Sequence, residues 1–170
     1  MKKWFLILLA VVILSAMTAC SKETASFSKA DLSLTVNGAV LTTETPVQDM
    51  LASLGDDYTF AEAISCVYEG MDKTYDYGDW TIYTYPDGEQ DRLMELYCVG
   101  GDVSTAGGIT FGSGKNEIVA RYGDGYVEAG SMLSYELPAS SPNHLPASLY
   151  FELDGGKVCA IGITAEHRAE

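Results

Sequence analysis

Basic residues are scarce in this chain. Its 170 residues include 10 lysines and arginines against 24 aspartates and glutamates, a formal net charge of −14. A protein that binds nucleic acid needs a clustered basic face for the phosphates, and the few cations here are scattered along the sequence. We therefore expect no nucleic-acid partner. The 11 tyrosines and 5 phenylalanines supply enough apolar surface for a folded core.

Residue patterns that carry catalysis are also missing. Of the two histidines, His144 lies in a proline-rich loop and His167 near the C-terminus, and neither has a motif partner. No serine lies in a Gly-x-Ser-x-Gly motif. The segment 108–116 resembles a phosphate-binding loop but departs from that motif at Ile109 and Asn116. The sequence predicts a protein that is not an enzyme, with no catalytic residue and no cofactor.

Cysteine is too sparse for a disulfide framework. Besides Cys20 near the N-terminus, the chain contains Cys66, Cys98 and Cys159, an odd number that leaves at least one thiol free or paired between chains. Cys66 and Cys98 fall on the first and third strands of a predicted meander, about 10 Å apart and too far for a disulfide. We expect each thiol to be buried as a small apolar side chain.

One hairpin carries three alternating acidic residues. Asp87, Glu89 and Asp91 could share a calcium ion, because carboxylate oxygens are its preferred ligands. The corresponding second hairpin, 154–157, has a lysine and only one acid. A solvated turn is the preferred interpretation, and the sequence predicts no metal site.

The N-terminal residues have the composition of an export signal. Two lysines precede an apolar run, Trp4–Leu14, and small residues then lead to Cys20. The segment Ser15–Cys20 resembles a lipobox, the motif that directs acylation of its cysteine in bacterial lipoproteins. We predict a signal peptide over residues 1–19, lipidation at Cys20 and a flexible tether over residues 20–30. The alternative is an ordinary secretory signal. Acyl chains would anchor the protein to the cell membrane, facing outside the cytoplasm.

The remaining chain contains an internal repeat. Val47–Tyr58 aligns with Lys115–Tyr126, and each segment predicts a helix of about nine residues. Thr45 and Ser113 precede the two helices as predicted N-caps. Both helices are followed by alternating strands with Asp-Gly turns.

Strand patterns complete the predicted fold. A hairpin is expected around Asn37-Gly38, and other strands are predicted at Ile64–Glu69 and Met132–Leu137, with Ser140–Pro146 as a loop. The fold class is α+β, with two tandem helix-plus-antiparallel-sheet repeats and the helices on one sheet face. The first repeat is assigned to residues 31–104 and the second to residues 105–170.

Two motifs carry a resemblance to known proteins. Gly108–Ser113 followed by Glu117–Gly123, with a first copy at Val40–Thr42 and Val47–Gly55, is similar to the β-lactamase inhibitory protein and to the small lipoprotein of the outer-membrane β-barrel assembly machine. The likeness covers about residues 31–164. It implies the repeated helix-plus-sheet fold, and no inhibitory contact residue carries over by position.

A second resemblance concerns location. The segments Ser65–Tyr75 and Ile82–Pro86 resemble uncharacterised lipoproteins of Gram-positive anaerobes. This resemblance implies an extracytoplasmic address and no particular activity.

Aromatic residues are concentrated in one stretch of the chain. Six lie within eighteen residues: Tyr68, Tyr75, Tyr77, Trp80, Tyr83 and Tyr85. Alternation along a strand places Trp80 and Ile82 on one face and Tyr83 and Tyr85 on the other. Tyrosine also suits strands for purely structural reasons. The functional interpretation is a recognition face that has an acidic rim and uses Tyr75, Tyr77, Tyr83 and Tyr85 to bind a partner.

The sequence thus predicts a membrane-anchored, non-catalytic protein-binding lipoprotein. Its partner is expected to be an envelope or extracellular protein, with the lipid bilayer contacted through Cys20. The alternative is a receptor for a small solute or a glycan. A receptor needs a true pocket, whereas a protein-binding module needs a broad open face.

Overall fold

The computed structural model describes residues 26–169. The predicted signal peptide, the lipidation site Cys20 and most of the tether lie outside the described residues. Within residues 26–169, no helix is both long and apolar enough to span a bilayer.

The first half of the described chain contains one helix and seven strands. A short 3-10 turn at Lys29–Asp31 comes first. The elements that follow are β1 (Ser33–Val36), β2 (Ala39–Thr42), α1 (Val47–Leu54), β3 (Thr59–Ile64), β4 (Met71–Asp76), β5 (Trp80–Asp87), β6 (Gln90–Cys98) and β7 (Val103–Thr105).

The second half contains one helix and six strands. They are α2 (Lys115–Tyr122), β8 (Val127–Ala129), β9 (Met132–Glu136), β10 (His144–Leu145), β11 (Ser148–Asp154), β12 (Lys157–Thr164) and β13 (His167–Arg168).

Eight strands form one continuous antiparallel sheet. Its order is β3-β4-β5-β6-β12-β11-β9-β8, so strands from both halves of the chain meet where β6 pairs with β12. A three-stranded sheet has the order β2-β1-β7, and the short strands β10 and β13 pair with each other.

The core lies between the large sheet and a second layer. Met50 of α1, Ile118 of α2 and Leu34 of β1 are fully buried in the same cluster as Ile82 and Phe151 of the large sheet. The two helices and the small sheet therefore cover one face of the eight-stranded sheet. The other face, which we call the open face, has no such layer over its middle, although Tyr68 of the loop before β4 and His167 of β13 pack against Tyr85 at one end of it.

The predicted fold class is wrong. Strands account for 48% of the structure and helices for 13%, in only two helices, so the protein is mostly β rather than an α+β arrangement of tandem helix-plus-sheet repeats. Pairing of β6 with β12 unites the strands of residues 31–104 and 105–170 in one sheet. This union removes two unpaired strand edges that separate sheets would expose.

Both predicted helices are present, and their ends follow the local sequence only in part. Gly55 and Gly123 end them with φ of 86° and 87°, values that favour glycine. The predicted N-caps are wrong. The hydroxyls of Thr45 and Ser113 instead accept hydrogen bonds from amides three residues earlier, at 2.9 and 3.2 Å, and so stabilise the turns before the helices.

Hairpin turns are confirmed where the sequence has Gly-containing pairs. Asn37 and Gly38 have φ of 47° and 82°, and both lie between the paired residues Val36 and Ala39. This is the backbone that a two-residue hairpin with the correct strand twist requires. The two predicted Asp-Gly turns are shifted by one residue, because Asp87 and Asp154 are still paired strand residues and the turns are formed by Gly88-Glu89 and Gly155-Gly156.

One predicted strand is wrong and another is correct. The segment 64–69 is largely a loop, because β3 ends at Ile64 and β4 begins at Met71. Met132–Glu136 forms β9, close to the predicted range. The predicted loop 140–146 contains the two residues of β10, which pair with β13.

The three described cysteines have different environments. Cys98 is fully buried on β6, and burial raises the pKa of its thiol to about 12. Cys66 and Cys159 are exposed, so the expectation of buried thiols is wrong for both. Cys66 lies in the loop between β3 and β4 rather than on a strand.

Candidate functional site

Strand β5 separates its aromatic residues between the two sheet faces as expected. Trp80, Ile82 and Thr84 are buried on the covered face, whereas Tyr83 and Tyr85 are partly exposed. Residues directly opposite each other on neighbouring strands share a face, so the partner residues identify each side of the sheet. Tyr83 is opposite Glu95 of β6, and Ile82 is opposite Leu96.

Two of the four predicted binding tyrosines lie away from the open face. Tyr75 is opposite Ile82 and is only 7% exposed, so it belongs to the core side. Tyr77 stacks on Trp80 with ring centroids 5.8 Å apart, and its hydroxyl donates to the carbonyl of Gly55. Burial raises the pKa of Tyr77 to about 12. Tyr75 and Tyr77 therefore do not form one surface with Tyr83.

Tyr85 lies on the open side at the far end of β5. Its ring stacks on Tyr68 at a centroid distance of 4.5 Å, and the ring of His167 lies 6.3 Å away. Arg92 is its cross-strand neighbour. Burial is the main reason that the pKa of Tyr85 is raised. Aromatic neighbours therefore pack against the ring of Tyr85. Tyr83 lies closer to the middle of β5.

Two tyrosines of the open face, Tyr97 and Tyr150, are not among the residues predicted from the sequence. Tyr97 of β6 is opposite Gly162 of β12, and Gly162 is in turn opposite Tyr150 of β11. The two rings stack across the glycine with centroids 6.4 Å apart and nearly parallel planes. Alternation within the strand Leu93–Cys98 could have placed Tyr97 on the face of Glu95. No pattern in the sequence around Tyr150 indicates that it lies beside Tyr97 and Glu95.

Gly162 provides the space in which Tyr150 lies flat. A Cβ added to Gly162 would overlap the phenol ring of Tyr150. The ring crosses β12 so that its hydroxyl donates to the carboxylate of Glu95 on β6. Burial, reinforced by this hydrogen bond, raises the pKa of Tyr150 strongly. Because its ring lies flat against β12, Tyr150 is only 8% exposed although it is on the open face.

Carboxylates accompany these tyrosines. The cross-strand pairs place Glu95, Glu136 and Glu152 on the open face, and Asp72 and Asp76 on its β4 side. The hydroxyl of Tyr97 donates to Glu152 at 3.4 Å. Arg92 is the cation that β5 and β6 add to this face, and its Nε lies 3.1 Å from Asp87. The open face is therefore negatively charged.

The acidic hairpin at the end of β5 is engaged by cations. Asp91 accepts from Lys73 at 2.8 Å, and this hydrogen bond is the main reason that the pKa of Lys73 is raised. Asp87 pairs with Arg92. Among residues 26–169, no three or more histidine, cysteine or carboxylate side chains converge in a way that could hold a metal ion.

Glu166, near the C-terminus, contacts the imidazole of His144. Nδ1 of His144 lies 2.8 Å from Glu166, which also accepts from the hydroxyl and the amide of Ser140. The Ser140 and His144 contacts lower the pKa of Glu166. The serine hydroxyl is bonded to the carboxylate rather than to the imidazole, so the three side chains do not have the serine–histidine–carboxylate order of a catalytic triad.

Comparison with known proteins adds no functional assignment. No family model matches the chain, and neither the curated proteins nor the solved structures contain a match.

Proposed function

We propose that this protein is an extracytoplasmic lipoprotein, anchored through Cys20, that binds another envelope or extracellular protein without catalysing a reaction. The open face of the eight-stranded sheet is the binding surface. Its central residues are Tyr83, Tyr97 and Glu95, and the buried ring of Tyr150 packs beside Tyr97.

The observation that carries this proposal is the combination of tyrosines and negative charge on the uncovered part of the open face. Tyrosine is common in binding surfaces because its ring is large and rigid and its hydroxyl can hydrogen-bond. The carboxylates of Glu95, Glu136 and Glu152 add a negative potential that would attract and orient a basic partner. A partner with lysines and arginines around an apolar centre fits this surface best.

The geometry changes which tyrosines are assigned to the partner. Tyr83 and Tyr85 remain from the sequence prediction, and Tyr97 joins them, with Tyr150 stacked against its ring. Tyr75 is left out because its side chain contributes to the core. Tyr77 is left out because it packs against Trp80 and the end of α1.

The binding surface can be tested with Tyr83→Ala. We expect capture of the partner from envelope and secreted extracts by the full chain to weaken about tenfold or more, because a central aromatic anchor contributes about 2 kcal/mol. The melting temperature should stay within a few degrees, since Tyr83 is only partly buried. Quantitative mass spectrometry of the captured proteins measures the first effect.

Tyr126→Ala is the matched control. Tyr126 is also partly buried, but it lies beside Tyr135 and below the ammonium group of Lys115 on the covered side. This variant should capture the partner as the unmodified chain does. Equal capture by Tyr83→Ala, with the protein folded, would contradict the proposed surface.

The lipid anchor has a separate test. Cys20→Ser removes the thiol that would receive the acyl chain, so we expect the protein to leave the membrane fraction of the producing bacterium. Fractionation and immunoblotting measure this distribution. Cys159→Ser, at an exposed cysteine of the body, should remain with the membrane. Continued membrane retention of Cys20→Ser would show that acylation is not the anchor.

A small-solute or glycan receptor is the second candidate, supported by one cleft. The cleft has a volume of about 490 Å³, a size that suits a small ligand. Tyr85 and the ion pair between Asp87 and Arg92 line it, together with the ion pair between Lys29 and Glu44. Sugars and charged solutes that raise the melting temperature, with a loss of this effect in Tyr85→Ala, would favour the receptor.

A further inference from the structure

Strand β3 is an unprotected edge of the large sheet. It is the outermost strand on one side, and all six of its residues are exposed. Phe60 is 50% exposed and Ile64 is 81% exposed, although both are large apolar residues. An edge strand of this kind offers unpaired backbone amides and carbonyls to another extended segment.

The ladder between β3 and β4 shows which backbone groups face outwards. The amide of Ser65 donates to the carbonyl of Gly70 at 3.0 Å, which identifies this pair as a hydrogen-bonded one. Hydrogen-bonded and non-hydrogen-bonded pairs alternate along an antiparallel ladder, and the register of β3 is unbroken. The residues whose amides and carbonyls point away from the sheet are therefore Phe60, Glu62 and Ile64.

Strand β3 has few of the features that prevent an edge strand from pairing with another chain. The sequence of β3 contains no proline or lysine, its pairing with β4 has no bulge, and Glu62 is its only charge. The opposite edge of the sheet, β8, has only three residues. Within residues 26–169, no strand pairs with the outer side of β3.

The surroundings of β3 are acidic. Asp57 precedes the strand, Glu62 lies within it, and Asp72 and Asp76 lie opposite its residues on β4. The neighbouring cation, Lys73, is bound to Asp91. An incoming segment with lysine or arginine would therefore be attracted to this edge, and an acidic one would be repelled.

A second copy of this chain is a poor occupant of the edge. Antiparallel self-pairing that uses all three outward-facing residues places Phe60 opposite Ile64 and Glu62 opposite the same glutamate of the other copy. Like charges directly opposite each other destabilise a strand pair. The strongly acidic character of the whole chain adds to this repulsion.

We propose that β3 binds an extended, basic peptide segment of a partner protein by strand addition. The backbone of the segment pairs with Phe60, Glu62 and Ile64. Its apolar side chains lie on the same side of the sheet as the exposed side chains of Phe60 and Ile64 and pack against them. Its alternating lysines or arginines then lie on the other side of the sheet, the side of Asp72 and Asp76 of β4. This surface is separate from the tyrosines of the open face.

Binding of a defined peptide tests the proposal. The probe is the fluorescent peptide Lys-Val-Lys-Val-Lys-Val-Lys, added to the full chain in detergent micelles and followed by fluorescence anisotropy. We expect saturable binding, with slower hydrogen exchange at the amides of Phe60, Glu62 and Ile64. The Glu62→Pro variant should bind about tenfold or more weakly, since proline removes an outward-facing amide and places its ring in the path of the peptide.

Controls separate backbone pairing from charge attraction. Glu62→Gln keeps the amide and removes one charge, so it should bind more tightly than Glu62→Pro. The same peptide with N-methyl groups on alternate residues keeps its charge but cannot complete the ladder, so it should not bind; this comparison holds even where Glu62→Pro fails to fold. Equal binding of the methylated peptide, or a dimer seen by sedimentation that Glu62→Pro removes, would overturn the proposal.

Discussion

Replacing Tyr122 with alanine is expected to lower the free energy of unfolding by about 3–5 kcal/mol. Tyr122 of α2 is only 2% exposed, and its ring packs against Tyr135 and Phe151 of the large sheet at 5.4 and 6.1 Å. Its hydroxyl donates to Thr105 at 2.6 Å and accepts from the amide of Gly107 at 3.1 Å. Removal leaves a cavity, takes the acceptor from the Gly107 amide, and leaves the Thr105 hydroxyl with only the hydrogen bond from Ile109.

Urea unfolding and thermal melting measure this effect. A loss of about 4 kcal/mol corresponds to a fall in melting temperature of about 10 °C for a chain of this size. Tyr122→Phe keeps the ring and removes the hydroxyl, so it should cost about 1–3 kcal/mol. A change below about 1 kcal/mol for Tyr122→Ala would show that α2 does not hold the two layers together as described.

Substitution of Gly162 by alanine is expected to disturb both stability and the open face. The added methyl group overlaps the ring of Tyr150, which must swing away from β12 and leave Glu95. Steric crowding of this kind costs about 1–3 kcal/mol. Because Tyr150 also stacks on Tyr97, the same change should weaken capture of the partner.

Two comparisons isolate the cause of the Gly162→Ala effect. Gly125→Ala is the matched control, because a methyl group there meets open space and no large change in stability is expected. In a Tyr150→Ala background, Gly162→Ala should cost little, so the two substitutions should be strongly non-additive in urea unfolding. Additive effects would show that the glycine has a role independent of the ring of Tyr150.

Predicted features that depend on neighbouring residues in the sequence agree well with the structure. The hairpin turn at Asn37-Gly38 and the glycine ends of α1 and α2 follow from backbone preferences that only a few residues share. The alternation of Trp80, Ile82 and Tyr83 along β5 is equally local. These features could be predicted because their energies depend on a handful of adjacent residues.

The candidate site could be predicted only in part. Tyr83 was found because alternation within one strand places it opposite the core. Tyr75 was misplaced because strand β4, at Met71–Asp76, was not recognised, and without its register the face of Tyr75 is undefined. The N-caps failed for a related reason, since the hydroxyls of Thr45 and Ser113 had closer amides to bond in the preceding turns.

The sequence alone determined the acidic character of the chain, its turns and its two short helices. Tertiary structure decided that strands from both halves join as one sheet and that Tyr150, 55 residues from Glu95, lies across Gly162 to reach it. Turns and helix ends are stabilised by contacts within a few residues. Strand partners are selected by the burial of a whole face and by the removal of unpaired edges, which no short segment can specify.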